Sequence, residues 1–132
     1  MTFKRCRVLC VEDDQDTRDL MEMWIRLAPG HYSMVSTDHA DKAMRLIAEE
    51  EFDLVVIDSW LADVGGLELC RKIKAMDADL PIMFFSADAR RSEIDAAVAA
   101  GANLYLTKPA TGDEFVDAIE KLTHHECAIA SV

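Results

Sequence analysis

Although 51% of this 132-residue chain is hydrophobic, it has no run of the roughly 18 apolar residues that a membrane-spanning helix needs. Its start, Met1 to Arg7, does not lead into an apolar stretch with a small-residue cleavage site, so no secretory signal is expected. A soluble, cytoplasmic protein that does not touch membranes is the expectation. Basic residues are scarce: 14 Lys and Arg stand against 25 Asp and Glu, for a formal charge of −11. Phosphate backbones recruit clustered cations, so direct nucleic-acid binding is not expected, and any output through DNA would need another chain or domain. Cys6, Cys10, Cys70 and Cys127 have no Cys-x-x-Cys spacing and are expected to be reduced, structural thiols. His124 and His125 fall near a helix C-terminus, where a solvated cation is favourable, so no metal role is expected of them. Repeats, low-complexity tracts and linkers are absent. Residues 1–132 are expected to form one domain, with a core of about residues 5–124 and a short tail at 125–132.

What the chain does have is a regular alternation of short apolar runs and helical stripes. Strands are predicted at 6–11, 32–36, 53–58, 81–86 and 103–107, with period-3.6 stretches between them. Thr17, Leu20, Met21, Trp24, Ile25 and Ala28 line a first helix, stopped by Pro29-Gly30. Ala40, Ala43, Met44 and Ile47 line a second, and Leu69, Cys70, Ile73 and Met76 a third. Ile94, Ala97 and Val98 mark a fourth, with Ser92 and Asp95 at capping-box spacing. Phe115, Val116, Ile119 and Leu122 mark a fifth, with Thr111 and Glu114 as a better box. The middle strands are almost continuously apolar, which means that both sheet faces are covered. Right-handed crossovers restrict the winding and the length is too short for an eight-unit barrel, so the best fold is a flavodoxin-like, doubly wound α/β domain, (βα)5, with parallel strand order 2-1-3-4-5.

In such a sheet ligands bind at the carboxyl ends of the strands. Glu12 and Asp13 follow the first run, Asp58 ends the third, Ser86 ends the fourth and Lys108 follows the fifth. Three carboxylates gathered there need a cation, since like charges about 4 Å apart repel by roughly 4 kcal/mol at an effective dielectric of about 20. Mg²⁺ suits them because it takes oxygen ligands, keeps waters and bridges carboxylates to phosphate; Mn²⁺ is a possible substitute. A metal, a lysine and a hydroxyl around one oxygen nucleophile are what phosphoryl transfer requires.

These residues in this order, Val8-Leu9-Cys10-Val11-Glu12-Asp13-Asp14, Asp58 with Gly66-Leu67-Glu68 beyond it, Ser86-Ala87 and Lys108-Pro109, resemble the receiver domain of two-component response regulators, in particular stand-alone chemotaxis-type receivers. The resemblance runs from the first strand through the last helix. It implies that Asp58 is the phosphoacceptor that takes a phosphoryl group from a phosphohistidine. It implies that Glu12 and Asp13 hold Mg²⁺ together with Asp58 and the main-chain carbonyl of Trp60. Ser86 would hydrogen-bond a phosphoryl oxygen, Lys108 would neutralise its charge across a cis bond to Pro109, and Ser86 and Tyr105 would act as the switch. The implied partners are a sensor histidine kinase or histidine phosphotransfer protein and a downstream effector. No DNA-binding effector domain is expected in the chain, which would be a monomer or weak dimer through the helix 4, strand 5, helix 5 face.

Each residue also has a plainer reading. Glu12, Asp13 and Asp14 would complement a helix dipole, Ser86 and Tyr105 would be packing residues, and Arg90 and Arg91 a solvated helix entrance. Asp58 resists such a reading, because a carboxylate ending a buried strand needs a partner or solvent. The chain also departs from the family pattern. Ala62 stands where a proline is usual, which implies a less rigid loop. Ala110 replaces an aromatic, which alters the helix 4 to helix 5 surface. In the family that the chain resembles, the positions of Trp60 and Asp88 flank the path of an attacking water, and Trp60 is expected to slow loss of the phosphoryl group.

The expected function is therefore a phosphorylation-driven switch rather than an enzyme acting on an external substrate. A haloacid dehalogenase type phosphatase would use a similar set, but it carries a second aspartate two residues past the nucleophile, where this chain has Trp60. A receiver-shaped module that is never phosphorylated is the third reading. It is disfavoured because every charged group the chemistry needs is present.

Overall fold

The computed structural model describes residues 5–123. Five strands alternate with five helices: β1 (Cys6–Val11), α1 (Gln15–Leu27), β2 (Tyr32–Thr37), α2 (Ala40–Glu49), β3 (Leu54–Ile57), α3 (Gly66–Met76), β4 (Ile82–Ser86), α4 (Arg91–Ala99), β5 (Leu104–Thr107) and α5 (Gly112–Thr123). All pairings are parallel, in the expected order β2-β1-β3-β4-β5.

Successive strand residues point to opposite faces, and the core divides accordingly. Val8, Cys10, Val56, Met83 and Phe85 pack against Met21 and Ile25 of α1 and Phe115 and Ile119 of α5. Leu9, Val11, Ile57, Ile82 and Phe84 pack against Ala43 of α2, Leu69 and Ile73 of α3 and Ala97 of α4. Each sheet face is thus sealed by helices, which is why β3 and β4 are buried at every position and apolar at all but Ser86.

Local signals set most helix boundaries. Asp14 is the N-cap of α1 and accepts from the Thr17 amide at 2.9 Å, so one residue of the acidic run does serve the helix. Thr111 and Glu114 form the reciprocal box at α5, at 3.1 and 2.9 Å. The Ser92 and Asp95 box does not form: α4 is capped by Arg90 without a side-chain bond, and Arg91, not Ser92, begins the helix. Three stripe residues also lie outside the core. Leu20, Met76 and Val98 are 41%, 47% and 60% exposed, because each sits at the rim of an apolar arc wider than its contact with the sheet.

Cys10 and Cys70 are free and buried, as expected, and burial pushes both thiols above their ordinary pKa. Cys6 is disulfide-bonded, which corrects the expectation of reduced thiols. Cys127, His124, His125 and the tail lie outside the described residues. No described helix is long and apolar enough to cross a membrane.

Candidate functional site

Parallel register brings the strand ends level. Val11 pairs with Ile57, Ile57 with Phe84, and Ser86 with Thr107. The residues after β1, β3 and β5 therefore emerge along one edge. There Glu12, Asp13 and Asp58 each offer a carboxylate oxygen, and these atoms lie within 4.8 Å of one another. Glu12 is buried, Asp58 half-buried and Asp13 exposed, so the group is open on one side.

Lys108 closes the other side. Its Nζ donates to Glu12 Oε1 at 2.7 Å and lies 3.6 Å from Asp58 Oδ2. It also sits 5.2 Å from the centre of the Phe85 ring, whose face favours a cation. The Lys108-Pro109 bond is cis, as the resemblance implied. The Lys108 amide donates to the Ser86 carbonyl at 2.8 Å, which fixes where the lysine leaves the sheet.

Glu12 is held more tightly than its place in a surface acidic run suggested. Its amide donates to the Thr37 carbonyl at 3.0 Å, and Arg18 donates to its carbonyl at 2.6 Å. Burial pushes its carboxyl up to about 7; the bond from Lys108 pulls the other way, and the Asp58 charge adds to the rise. An acid so placed gains from a nearby cation, because a cation stabilises its charged form.

Ser86 is fully buried at the end of β4, and its hydroxyl accepts from the Asp88 amide at 3.1 Å. Beyond it, the Asp88 carboxylate accepts from Arg90 Nε at 3.0 Å and Nη2 at 2.7 Å, and that pairing holds its pKa below the ordinary value. Arg90 is thus committed to the loop, while Arg91 pairs with Asp95 on its own helix.

Tyr105 lies half-buried in β5, stacked on Phe84 with centroids 5.6 Å apart and planes 4° from parallel. Its hydroxyl donates to the Asp88 carbonyl at 2.6 Å. Ser59 Oγ is 3.3 Å from the same hydroxyl, and since the tyrosine proton goes to Asp88, Ser59 is the donor. Trp60 follows on the loop after β3 and is 62% exposed.

The structure therefore brings together Glu12, Asp13, Asp58 and Lys108, sets Ser86 on the same edge and places Trp60 outside the cluster on the solvent side. Sequence reasoning missed Ser59, Arg18 and Thr37. Nothing in a lone Ser, Arg or Thr marks it as a partner of a residue so far away in the fold. It missed Asp63 also, which reads as a turn residue but bonds to α2. A cavity of about 570 Å³ lies apart from the acids, between β2 and α2, with Arg18, Thr37, Lys42 and Arg45 in its lining.

The arrangement can hold a hard cation on oxygen ligands, present a carboxylate nucleophile beside it and set an ammonium against the charge of an incoming anion. Comparison with known proteins places the chain in a family. A family model described as the response regulator receiver domain matches residues 8–120. The response regulator MprA of Mycobacterium leprae is 32% identical over 116 residues, 88% of this chain and 50% of that protein. The MprA of Mycolicibacterium vanbaalenii is 34% identical over 110 residues, 83% of this chain and 47% of that protein. The chain spans about half the length of the curated relatives it matches. A two-component response regulator of the LuxR family from Aurantimonas superposes with a TM-score of 0.85 at 31% identity, covering 93% of this chain and 88% of that one. A CheY-like receiver domain protein from Methanospirillum hungatei superposes with a TM-score of 0.86 over 93% of this chain and 97% of that one; at 22% identity it shares the fold.

Proposed function

The chain belongs to the response regulator receiver domain family of two-component systems, and from that membership we propose that it is a phosphorylation-driven switch with Asp58 as the phosphoacceptor. The observation that carries the proposal is the placement of Lys108, whose ammonium lies between Glu12 and Asp58 beside three carboxylates that offer oxygens within 4.8 Å. One nucleophile, one counter-charge and one cation site then share a single crevice.

An Asp58 carboxylate oxygen attacks the phosphorus of a phosphohistidine on a partner. The phosphorus–nitrogen bond breaks, the imidazole leaves, and an acyl phosphate forms. Lys108 neutralises the added charge and Ser86 bonds a phosphoryl oxygen. Glu12, Asp13, Asp58 and the Trp60 carbonyl would hold Mg²⁺, and the all-oxygen donor set fits that ion better than a thiophilic one. When bound, the ion supplies charge neutralisation between the carboxylates and the phosphoryl group. Water later cleaves the acyl phosphate, so the chain regenerates itself and acts on no external substrate.

The partners are a sensor histidine kinase or phosphotransfer protein upstream and an effector downstream, met in the cytoplasm. Ser86 and Tyr105 relay the change to the α4, β5 and α5 surface, by a shift between two populations. The receiver domain is a monomer or a weak dimer through that surface.

The test is intact mass after incubation with Mg²⁺ and a small phosphodonor. A transient adduct of one phosphoryl group, lost in Asp58→Asn, is the expected result. Steady hydrolysis of phosphate esters would support a phosphatase instead, and no adduct with any donor would support a silent module.

A further inference from the structure

Asp63 lies in the loop between Asp58 and α3, but its side chain leaves that loop for another element. One carboxylate oxygen accepts from the Ala40 amide at 3.0 Å and the other from the Asp41 amide at 3.3 Å. These are first-turn amides of α2, which a helix cannot satisfy by itself. The N-cap residue of α2 is His39, whose side chain makes no cap bond. An acid from elsewhere in the fold therefore does the work of a cap, and its charge suits the positive end of the helix. Burial would raise the Asp63 pKa, but the amides of Ala40, Asp41 and Val64 outweigh it and hold it at about 2.

The loop needs such a restraint. From Asp58 to Gly66 it contains no proline, so no ring fixes its backbone. At one end the Asp58 amide donates to the Val11 carbonyl at 3.1 Å, and at the other the Gly66 amide donates to the Ser59 carbonyl at 3.0 Å. Asp63 supplies the hold between these ends. The helix it grips begins three residues after Thr37, and the Thr37 carbonyl receives the Glu12 amide at 3.0 Å. A closed circuit thus runs from Asp58 along the loop to Asp63, through the start of α2 to Thr37, and on to Glu12.

We propose that Asp63 is a positioning residue for the metal-binding acids: by capping α2 it fixes the spacing between Asp58 and Glu12. The inference rests on the reading of those acids as a Mg²⁺ site.

Mg²⁺ alone, titrated calorimetrically into the full chain, tests it without any phosphodonor. Asp63→Ala is expected to weaken Mg²⁺ binding by about tenfold, the effect of losing a residue that orients a ligand, and to speed hydrogen exchange at the Ala40 and Asp41 amides. Asp63→Asn keeps one of the two acceptor oxygens and is expected to fall between Asp63→Ala and wild type. Ala40→Pro tests the link from the other side. It deletes one donor at the first helical position, where proline is tolerated, and should weaken binding in the same direction by less. Faster exchange at both amides with unchanged Mg²⁺ affinity would make Asp63 a helix cap only and overturn the proposal. If Asp63→Ala does not fold, unchanged affinity in Ala40→Pro overturns it. A wild-type chain that binds no Mg²⁺ would instead remove the metal-site reading, and this inference with it.

Discussion

The Tyr105 hydroxyl donates to the Asp88 main-chain carbonyl at 2.6 Å, joining β5 to the loop that follows Ser86. The loop is bound a second time at its start, where the Asp88 amide donates to the Ser86 hydroxyl. A phosphoryl group that recruits that hydroxyl would compete with an existing bond, and Tyr105 holds the other side of the same residue.

Tyr105→Phe separates the hydroxyl from the ring. The stack on Phe84 survives, while the Asp88 carbonyl and Ser59 hydroxyl lose their partner. Denaturant unfolding should show a loss of about 1 kcal/mol. Amides of residues 87–90 should exchange faster, with those of β4 unchanged. Tyr105→Leu removes the stack as well and should cost more.

Gly66 carries a steric prediction. A Cβ there would collide with the Asp58 carbonyl oxygen and crowd the Ser59 Cα at 3.0 Å, and both are backbone that cannot swing aside. Gly66→Ala should cost about 1–3 kcal/mol and displace Asp58, so Mg²⁺ affinity should fall with stability. Gly65 has nothing within 4 Å of its Cβ position, and Gly65→Ala should change stability by about 0.5 kcal/mol or less. Equal effects at the two positions would remove the steric account.

That contrast illustrates what a sequence makes legible. The fold was readable because Val55 to Ile57 and Ile82 to Phe85 carry a two-sided apolar pattern that only a helix-covered parallel sheet satisfies. Once strand order is given, Glu12, Asp13, Asp58 and Lys108 must share an edge, so the candidate cluster was readable too. Asp63 and Ser59 were not. Each makes its bond across more than 20 residues, to α2 and to β5, and an isolated polar residue in a loop looks the same with or without such a partner. The Ser92 and Asp95 box failed for a related reason: spacing proposes a cap, but where α4 starts depends on how the Asp88 and Arg90 loop enters it. The Cys6 disulfide was likewise invisible to local spacing.

His39 provides a pH prediction. The Asp38 carboxylate lies 2.8 Å from its Nδ1, and this close pairing with an acid raises the imidazole pKa above its ordinary 6.5. A group whose folded pKa is raised adds stability that is fully present below the unfolded value and is lost as pH rises through the folded one. The contribution of this exposed pair is therefore present below pH 6.5 and disappears above it. An NMR titration of His39 should give a midpoint above 6.5 in wild type and a lower one in Asp38→Asn. A midpoint unmoved by the substitution would dissociate the shift from Asp38.

Trp60 tests how the acyl phosphate proposed at Asp58 would be protected. Its side chain is 62% exposed and belongs to the loop that leaves Asp58, so it can lie over the open side of the crevice without being part of the core. An indole there would exclude water from the phosphorus, and water is the only co-reactant that hydrolysis needs. Trp60→Ala should therefore shorten the lifetime of the phosphorylated state severalfold, followed by loss of the adduct mass with time after the donor is removed. Since Trp60 contributes only its main-chain carbonyl to the proposed metal site, Mg²⁺ affinity should stay close to wild type. Trp60→Phe, which keeps an apolar ring, should fall between the two in lifetime. A lifetime unchanged in Trp60→Ala would mean that shielding comes from elsewhere. A lifetime shortened together with weakened Mg²⁺ binding would place the effect on the loop backbone instead, since an altered carbonyl, unlike a lost indole, reaches the metal as well as the water.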